Sequence, residues 1–216
     1  MWMWIIIIIG FFITLYFLIG AFAAITMTRV GDHPQYDQTP GSYGLDYETV
    51  CLHSRVDHFK LSSWYIPNRN AERAMILVHG RDASKQNAIS GKLPELASEL
   101  HRAGMAVLML DLRGHGQSEG KRYTWGVFER RDVLGAVDFL LDEGFLPGKM
   151  GVLGISLGGA AAVGAAYEEP AIGVLVLDST FADLQALVKP NWRKVSGLPM
   201  IFLSSTLLMW QAMYRF

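Results

Sequence analysis

The stretch Met150-Gly151-Val152-Leu153-Gly154-Ile155-Ser156-Leu157-Gly158-Gly159, with the small-residue run 160–166 behind it, constrains this chain more than any other. Met150 to Leu153 reads as a short buried strand, and Ala160 to Tyr167 as a helix, because alanine has the highest helix propensity. Between them the chain must turn sharply. Glycines two positions either side of Ser156 remove the Cβ atoms that would collide with the neighbouring strand and helix. Such a turn lifts the Ser156 hydroxyl out of the sheet edge and sets it beside the N–H groups at a helix start, where negative charge is favoured. The plainer alternative is a Gly-rich turn with an idle serine. The surrounding chain decides between the two.

Apolar runs and helical periodicities alternate through the middle of the sequence. Ala74 to Val78 is an apolar run ending in His79-Gly80, as suits a strand buried on both faces. Ser84 to Ala103 reads as helix, with Leu93, Leu96, Ala97 and Leu100 on one face and Gly104 as its stop. Met105 to Leu110 is the next buried strand, leading into the polar, Gly-rich loop 111–120. Val127 to Leu141 is helical by the spacing of Val133, Ala136, Val137 and Leu140, and Ile172 to Leu177 is a further strand. Upstream, Tyr47 to His53 and Val56 to Ile66 read as an antiparallel pair at the edge of the sheet. The alternation implies an α/β fold with a mostly parallel sheet and helices on both faces.

The N-terminus is of another kind. Trp4 to Met27 carries no charged residue and as a helix would be roughly 36 Å long, enough to cross a bilayer. Trp2 and Trp4 suit an interface. A cleaved secretory signal is the rival, with Ala21-Phe22-Ala23 as its cleavage site, but no Lys or Arg precedes the run, and the run exceeds a usual signal core. An uncleaved single-pass membrane anchor is the expectation. Arg29 is balanced by Asp32, which leaves orientation open. The expected organisation is an anchor over 1–29, a Pro/Gly linker over 30–44, an α/β core over 45–190 and the start of a cap or lid segment over 191–216.

Composition excludes several functions. The 216 residues hold 19 Lys and Arg against 20 Asp and Glu, with no basic run to suit nucleic acid. The single cysteine, Cys51, precludes an internal disulfide, and no His-Glu-x-x-His or paired-Cys metal pattern occurs.

Taken together, these motifs resemble the α/β-hydrolase superfamily over Leu45 to about Leu187, particularly its membrane-anchored bacterial members and the serine aminopeptidase or monoglyceride-lipase-like branch. His79-Gly80-Arg81-Asp82 resembles the oxyanion loop after the third strand, and residues 111–118 the loop after the fourth. Gly154-x-Ser156-x-Gly158 resembles the nucleophile elbow, and Asp178-Ser179-Thr180-Phe181 the loop after the sixth strand. The resemblance implies Ser156 as nucleophile, the backbone N–H groups of Leu157 and Arg81 as oxyanion donors, and His79 and Gly80 as residues shaping that loop. Asp178 is the only well-placed carboxylate at a strand end near the site; the resemblance admits it as the catalytic acid, although an Asp there is more often a structural or loop-capping residue. The implied activity is cleavage of carboxylic esters, or less readily amides, in a hydrophobic or acyl small-molecule substrate, without a cofactor.

One departure stands out. The family's triad runs Ser, then Asp or Glu, then His, yet none of the six histidines lies beyond His115. His79 and His115 fit structural roles, so the catalytic His is absent from this chain. The expectation is therefore a C-terminally incomplete hydrolase, its last strands missing, whose 216 residues alone do not turn over. A non-catalytic binding or scaffold protein on the same fold is the alternative. A two-span membrane protein with Leu198 to Met213 as second span is a third, although that run is short for a span.

Overall fold

The computed structural model describes residues 2–31 and 36–214. The described chain divides into two compact units, Val30–Ala182 and a second made of Met1–Arg29 with Asp183–Phe216. His33 and Pro34 of the expected linker, and the Asp32 that balances Arg29, lie outside the described residues, as do the last two residues of the cap segment.

Unit Val30–Ala182 is built on one six-stranded sheet. Its strands are β1 (Glu48–His53), β2 (Lys60–Ile66), β3 (Ala74–Val78), β4 (Ala106–Leu110), β5 (Met150–Ile155) and β6 (Ile172–Asp178), in the order β1-β2-β4-β3-β5-β6. β1 and β2 are antiparallel and β2 runs antiparallel to β4, whereas β4, β3, β5 and β6 are parallel. Val78 pairs with both Leu110 and Gly154, so the parallel strands end level. The residues that follow, His79, Asp111 and Ser156, are thereby delivered to one edge.

The helices are α2 (Ala88–Gly91), α3 (Leu93–Arg102), α4 (Glu129–Asp142) and α5 (Leu157–Glu168). Leu93 and Ala97 of α3 pack with Leu77, Val107 and Met109 on one face of the sheet. Leu134 and Val137 of α4 and Ala161 and Ala165 of α5 pack with Ile76, Leu108 and Val152 on the other. Alternation along each strand sends neighbouring side chains to opposite faces, which is why these strands are apolar throughout. The connection leaving β3 crosses one face, and those on either side of β5 cross the other. The crevice where they part, between β3 and β5, is where such sheets bind ligands.

Two elements differ from their sequence reading. The strand expected from Val56 begins at Lys60. Residues Ser54 to Phe59 form a tight turn, with Val56 and His58 at positive φ and the Ser54 hydroxyl donating to Asp57. The turn carries Asp57 to the Arg113 guanidinium, a long-range partner that local alternation does not reveal. The helix expected over Ser84 to Ala103 is broken at Ile89 and Ser90, both at positive φ, and restarts at Leu93 with Pro94 in its first turn, where a missing N–H costs nothing.

The second unit holds α1 (Trp2–Met27), α6 (Leu184–Ser196) and α7 (Phe202–Tyr214). α1 is the one described helix long and apolar enough to cross a membrane; its 26 residues span about 39 Å. Asp183 caps α6 by accepting from the N–H groups of Gln185 and Ala186. α6 runs unbroken through residue 190. α1 and α7 lie side by side in parallel: Tyr16 donates to the Ile201 carbonyl at 3.0 Å, and the Thr28 and Tyr214 hydroxyls meet at 3.1 Å. Between these contacts Gly20 lies so close to α7 that a Cβ there would sit 2.5 Å from the Ser205 hydroxyl oxygen. Ala23, Val188 and Trp192 form the unit's small core.

Candidate active site

Ser156 follows the last residue of β5 and precedes the first of α5. Its φ of 50° and ψ of −108° put a non-glycine residue in a backbone region that costs of order 1–3 kcal/mol and is held only where the surroundings over-determine it. Three observations show how it is held. The Ser156 N–H donates to the Asp178 carbonyl at 2.8 Å, tying the turn to β6. The Ser156 carbonyl accepts from the N–H groups of Gly159 and Ala160 in the first turn of α5. Gly158 lets that turn press on the end of β3, where a Cβ would lie 2.5 Å from the His79 carbonyl oxygen.

The loop after β3 meets the serine from the other side. A Cβ on Gly80 would stand 3.5 Å from the Ser156 Cβ, so the backbone at Gly80 borders Ser156 directly. His79 is fully buried. Its Nε2 accepts from the Leu112 N–H at 3.1 Å, which requires Nδ1 to carry the proton that bonds the Gly80 carbonyl at 2.7 Å. His115 is spent in the same way, with Nε2 accepting from the Asp82 N–H and Nδ1 facing the Arg113 carbonyl. Both imidazoles therefore stitch the 79–82 loop to the 111–115 loop.

The other described histidines are remote. His53 ends β1, four strand positions from β5, or about 19 Å at ordinary strand spacing. His58 belongs to the turn between β1 and β2. His101 closes α3 at the opposite pole of the sheet and bonds the Pro67 carbonyl. Asp178 stands at the end of β6, exposed, its carboxylate accepting from the neighbouring Ser179 hydroxyl at 2.8 Å. No described histidine is thus placed between Asp178 and Ser156.

Behind the two loops lies a buried ion pair that sequence reading had no means to find. Asp111 accepts from the Lys85 backbone N–H (2.7 Å), the Lys85 ammonium (2.5 Å) and the Gln117 N–H (3.0 Å). Lys85 also reaches the Ser62 hydroxyl, and its ammonium lies 5.1 Å from the Trp64 ring centre. Each group is satisfied, which is what makes a buried pair tolerable. The result fixes the loop after β3 against the loop after β4. A second network joins Arg113 to Asp132 and Asp57. Burial works against ionisation of Asp57, yet hydrogen bonds from Arg113, Ser54 and Arg131 outweigh it and hold the carboxyl at about 2. Burial pushes Asp132 up to about 7, against the pull of Arg113.

Arg81 and three aromatic residues cluster beside the loop after β3. The Arg81 guanidinium pairs with Asp82 and lies 5.4 Å from the Trp125 ring centre. Trp125 packs edge-on against Tyr123 and Phe181, and the neighbouring Gly126 abuts Ala160 of α5. Burial pushes the Tyr123 phenol up to about 12, with Arg81 acting against it. A separate cleft of about 660 Å³, lined by Tyr65, Pro67, Ala71, Phe145 and Lys149 among others, opens at the opposite pole. None of Ser156, His79, Gly80 and Arg81 lines it.

A parallel sheet with a serine on a strained strand-to-helix turn, faced by a His-Gly loop from the neighbouring strand, defines the α/β-hydrolase fold. The family model for serine aminopeptidase, S33, matches residues 69–212, and the chain belongs to that family. An esterase from Pyrococcus furiosus has a similar structure, with a TM-score of 0.68 and 26% identity, covering 83% of this chain and 68% of that one. An uncharacterised protein of Mycobacterium tuberculosis is 32% identical over 130 residues, 59% of this chain and 44% of that protein. An uncharacterised membrane protein of Saccharomyces cerevisiae is 28% identical over 153 residues, 69% of this chain and 51% of that protein. The chain spans about half the length of these curated relatives.

Proposed function

We propose that this protein is a membrane-anchored serine hydrolase that cleaves carboxylic esters, and amides less readily, through an acyl-enzyme on Ser156. In the reaction the Ser156 oxygen attacks the acyl carbonyl and passes its proton to a base. The carbonyl oxygen becomes an oxyanion, received by the backbone N–H groups of Leu157 and Arg81. The alcohol leaves with the proton, and water then releases the acid. Each oxyanion donor contributes about 10²–10³-fold in such sites. His79 and Gly80 shape the loop that carries the second donor. Tyr123, Trp125 and Phe181 offer an apolar wall suited to a hydrophobic acyl group.

The observation that carries this reading is the positive φ of Ser156 in the strand-to-helix turn, with Gly80 against its Cβ. The likeness to an esterase supports an ester as substrate. Asp178 is the carboxylate proposed as the acid, on its position at the end of β6. The base is the part of the triad that none of the described histidines supplies, since His79 and His115 are committed to backbone groups. The 216-residue chain alone is accordingly proposed to turn over far below ordinary enzyme rates. A serine without its base retains roughly 10³–10⁴-fold over water from the oxyanion hole and binding. α1 is proposed as the anchor, on its length and apolar composition and on the likeness to a membrane protein of yeast.

The test is labelling with a fluorophosphonate in excess over long incubation. Label should go to one serine and be lost in Ser156→Ala. Label that persists in that variant places the nucleophile elsewhere.

A further inference from the structure

The three helices of the second unit carry an asymmetry that anchoring alone does not use. α1 and α7 run in constant register, since Tyr16 meets Ile201, Gly20 meets Ser205 and Thr28 meets Tyr214. The seam on α1 is Gly20, Ala24 and Thr28, buried residues four apart, the small-residue spacing that lets membrane helices approach closely. The register turns a position along α1 into a depth for α7. If Trp2 marks the far boundary, a hydrocarbon core of about 30 Å ends about 20 residues later, near Ala21 or Phe22. Tyr16, and Ile201 with it, then lies about 8 Å inside the near boundary.

The residues at that depth suit it. The turn between α6 and α7 is Gly197-Leu198-Pro199-Met200-Ile201, held by the Trp192 indole N–H donating to the Pro199 carbonyl at 3.0 Å. Met200 is 50% and Ile201 69% exposed, a large apolar tip with no cover from the described chain. Lys189, Arg193 and Lys194 stand exposed on α6 just before the tip. The sequence from Leu184 to Phe216 contains no Asp or Glu. An apolar tip below a belt of cations is the pattern of an element lying about 5–10 Å into a leaflet and drawn to anionic headgroups.

We infer that the α6–α7 turn is a second membrane contact, a monotopic element that inserts Met200 and Ile201 into the leaflet on which Lys189, Arg193 and Lys194 meet anionic phospholipid. It rests on the proposed membrane insertion of α1 and goes beyond it, because it names a surface, a depth and a lipid charge.

The test uses the full chain with Cys51→Ser, reconstituted in vesicles of phosphatidylcholine alone or with phosphatidylglycerol. Single cysteines are introduced as Ile9→Cys in the span, Ile201→Cys or Met200→Cys in the tip, and Gln185→Cys at the start of α6. Reaction with a membrane-impermeant maleimide is timed. An environment-sensitive label at the same sites is quenched by acyl-chain spin labels. In phosphatidylglycerol vesicles the cysteines at 9, 200 and 201 should be protected and quenched, while the one at 185 reacts freely. Neutralising Lys189, Arg193 and Lys194 to Gln should raise the reactivity at 201, about fivefold for each charge lost. Protection at 9 with free reaction at 200 and 201 overturns the inference and leaves the anchor standing. Free reaction at 9 overturns the anchor and the inference together. Equal protection at 201 in both lipids, unaffected by loss of the cations, overturns the assignment to an anionic surface.

Discussion

At the scale of single residues, the turn at Ser156 and the two loops beside it are held by hydrogen bonds within the protein. Ser156 keeps its unfavourable backbone angles because β6, α5 and β3 each fix one side of the turn. His79, His115, Lys85 and Asp111 use their polar atoms to join two loops. Asp57 extends this to the edge of the sheet and gives a pH-dependent prediction. Its carboxyl is held at about 2 in the folded protein against an ordinary 3.8, so it contributes stability above pH 4 that is lost as pH falls towards 2. Asp57→Asn should lower unfolding stability by about 2 kcal/mol at neutral pH, a deficit that shrinks through that window. Urea titrations of both proteins in detergent at several pH values measure it. A deficit that stays constant from pH 7 to pH 2.5 contradicts the Arg113–Asp57 account.

At the scale of elements, the chain divides by how far each determinant lies in sequence. The parallel strands were legible because a strand buried on both faces is an apolar run, as in Ala74–Val78 and Ala106–Leu110. The strand-to-helix turn at Ser156 was legible because strand, turn and helix are contiguous. What escaped depends on distant partners. The Ser54–Phe59 turn answers to Arg113, and the pairing of α1 with α7 to a contact across 185 residues. The last of these is testable alone. A leucine at Gly20 would meet Ser205, whereas Gly10 has nothing within 4 Å. Gly20→Leu should loosen α7 at a cost of about 1–3 kcal/mol, and Gly10→Leu should not. Limited trypsin cleavage after Arg193 and Lys194 reads the difference, with about fivefold or more acceleration expected for Gly20→Leu when cleavage follows local opening. Equal rates for the two variants contradict the close packing of the helices.

At the scale of the whole molecule, Ser156 is the proposed nucleophile and the 79–82 loop the proposed source of an oxyanion donor, while none of the described histidines is placed to serve as base. Resemblance pointed to this before the fold was known, because six histidines all precede the elbow in sequence. The structure adds where the five described ones are: two consumed by backbone groups, three distant from Ser156. Family membership establishes a hydrolase relative, and the geometry at Ser156 supports acyl transfer. A serine hydroxyl is a poor nucleophile until a base takes its proton. The claim therefore has two halves, and one measurement reads both. The 216-residue chain is incubated with fluorophosphonate across a range of imidazole concentrations near pH 7.5, and the modified residue is mapped by peptide mass spectrometry. The account predicts slow modification of Ser156 that accelerates in proportion to free imidazole, which stands in for the base that no described histidine supplies. Fast modification of Ser156 without imidazole would show a base already in place, and modification of any other serine would remove Ser156 as the nucleophile.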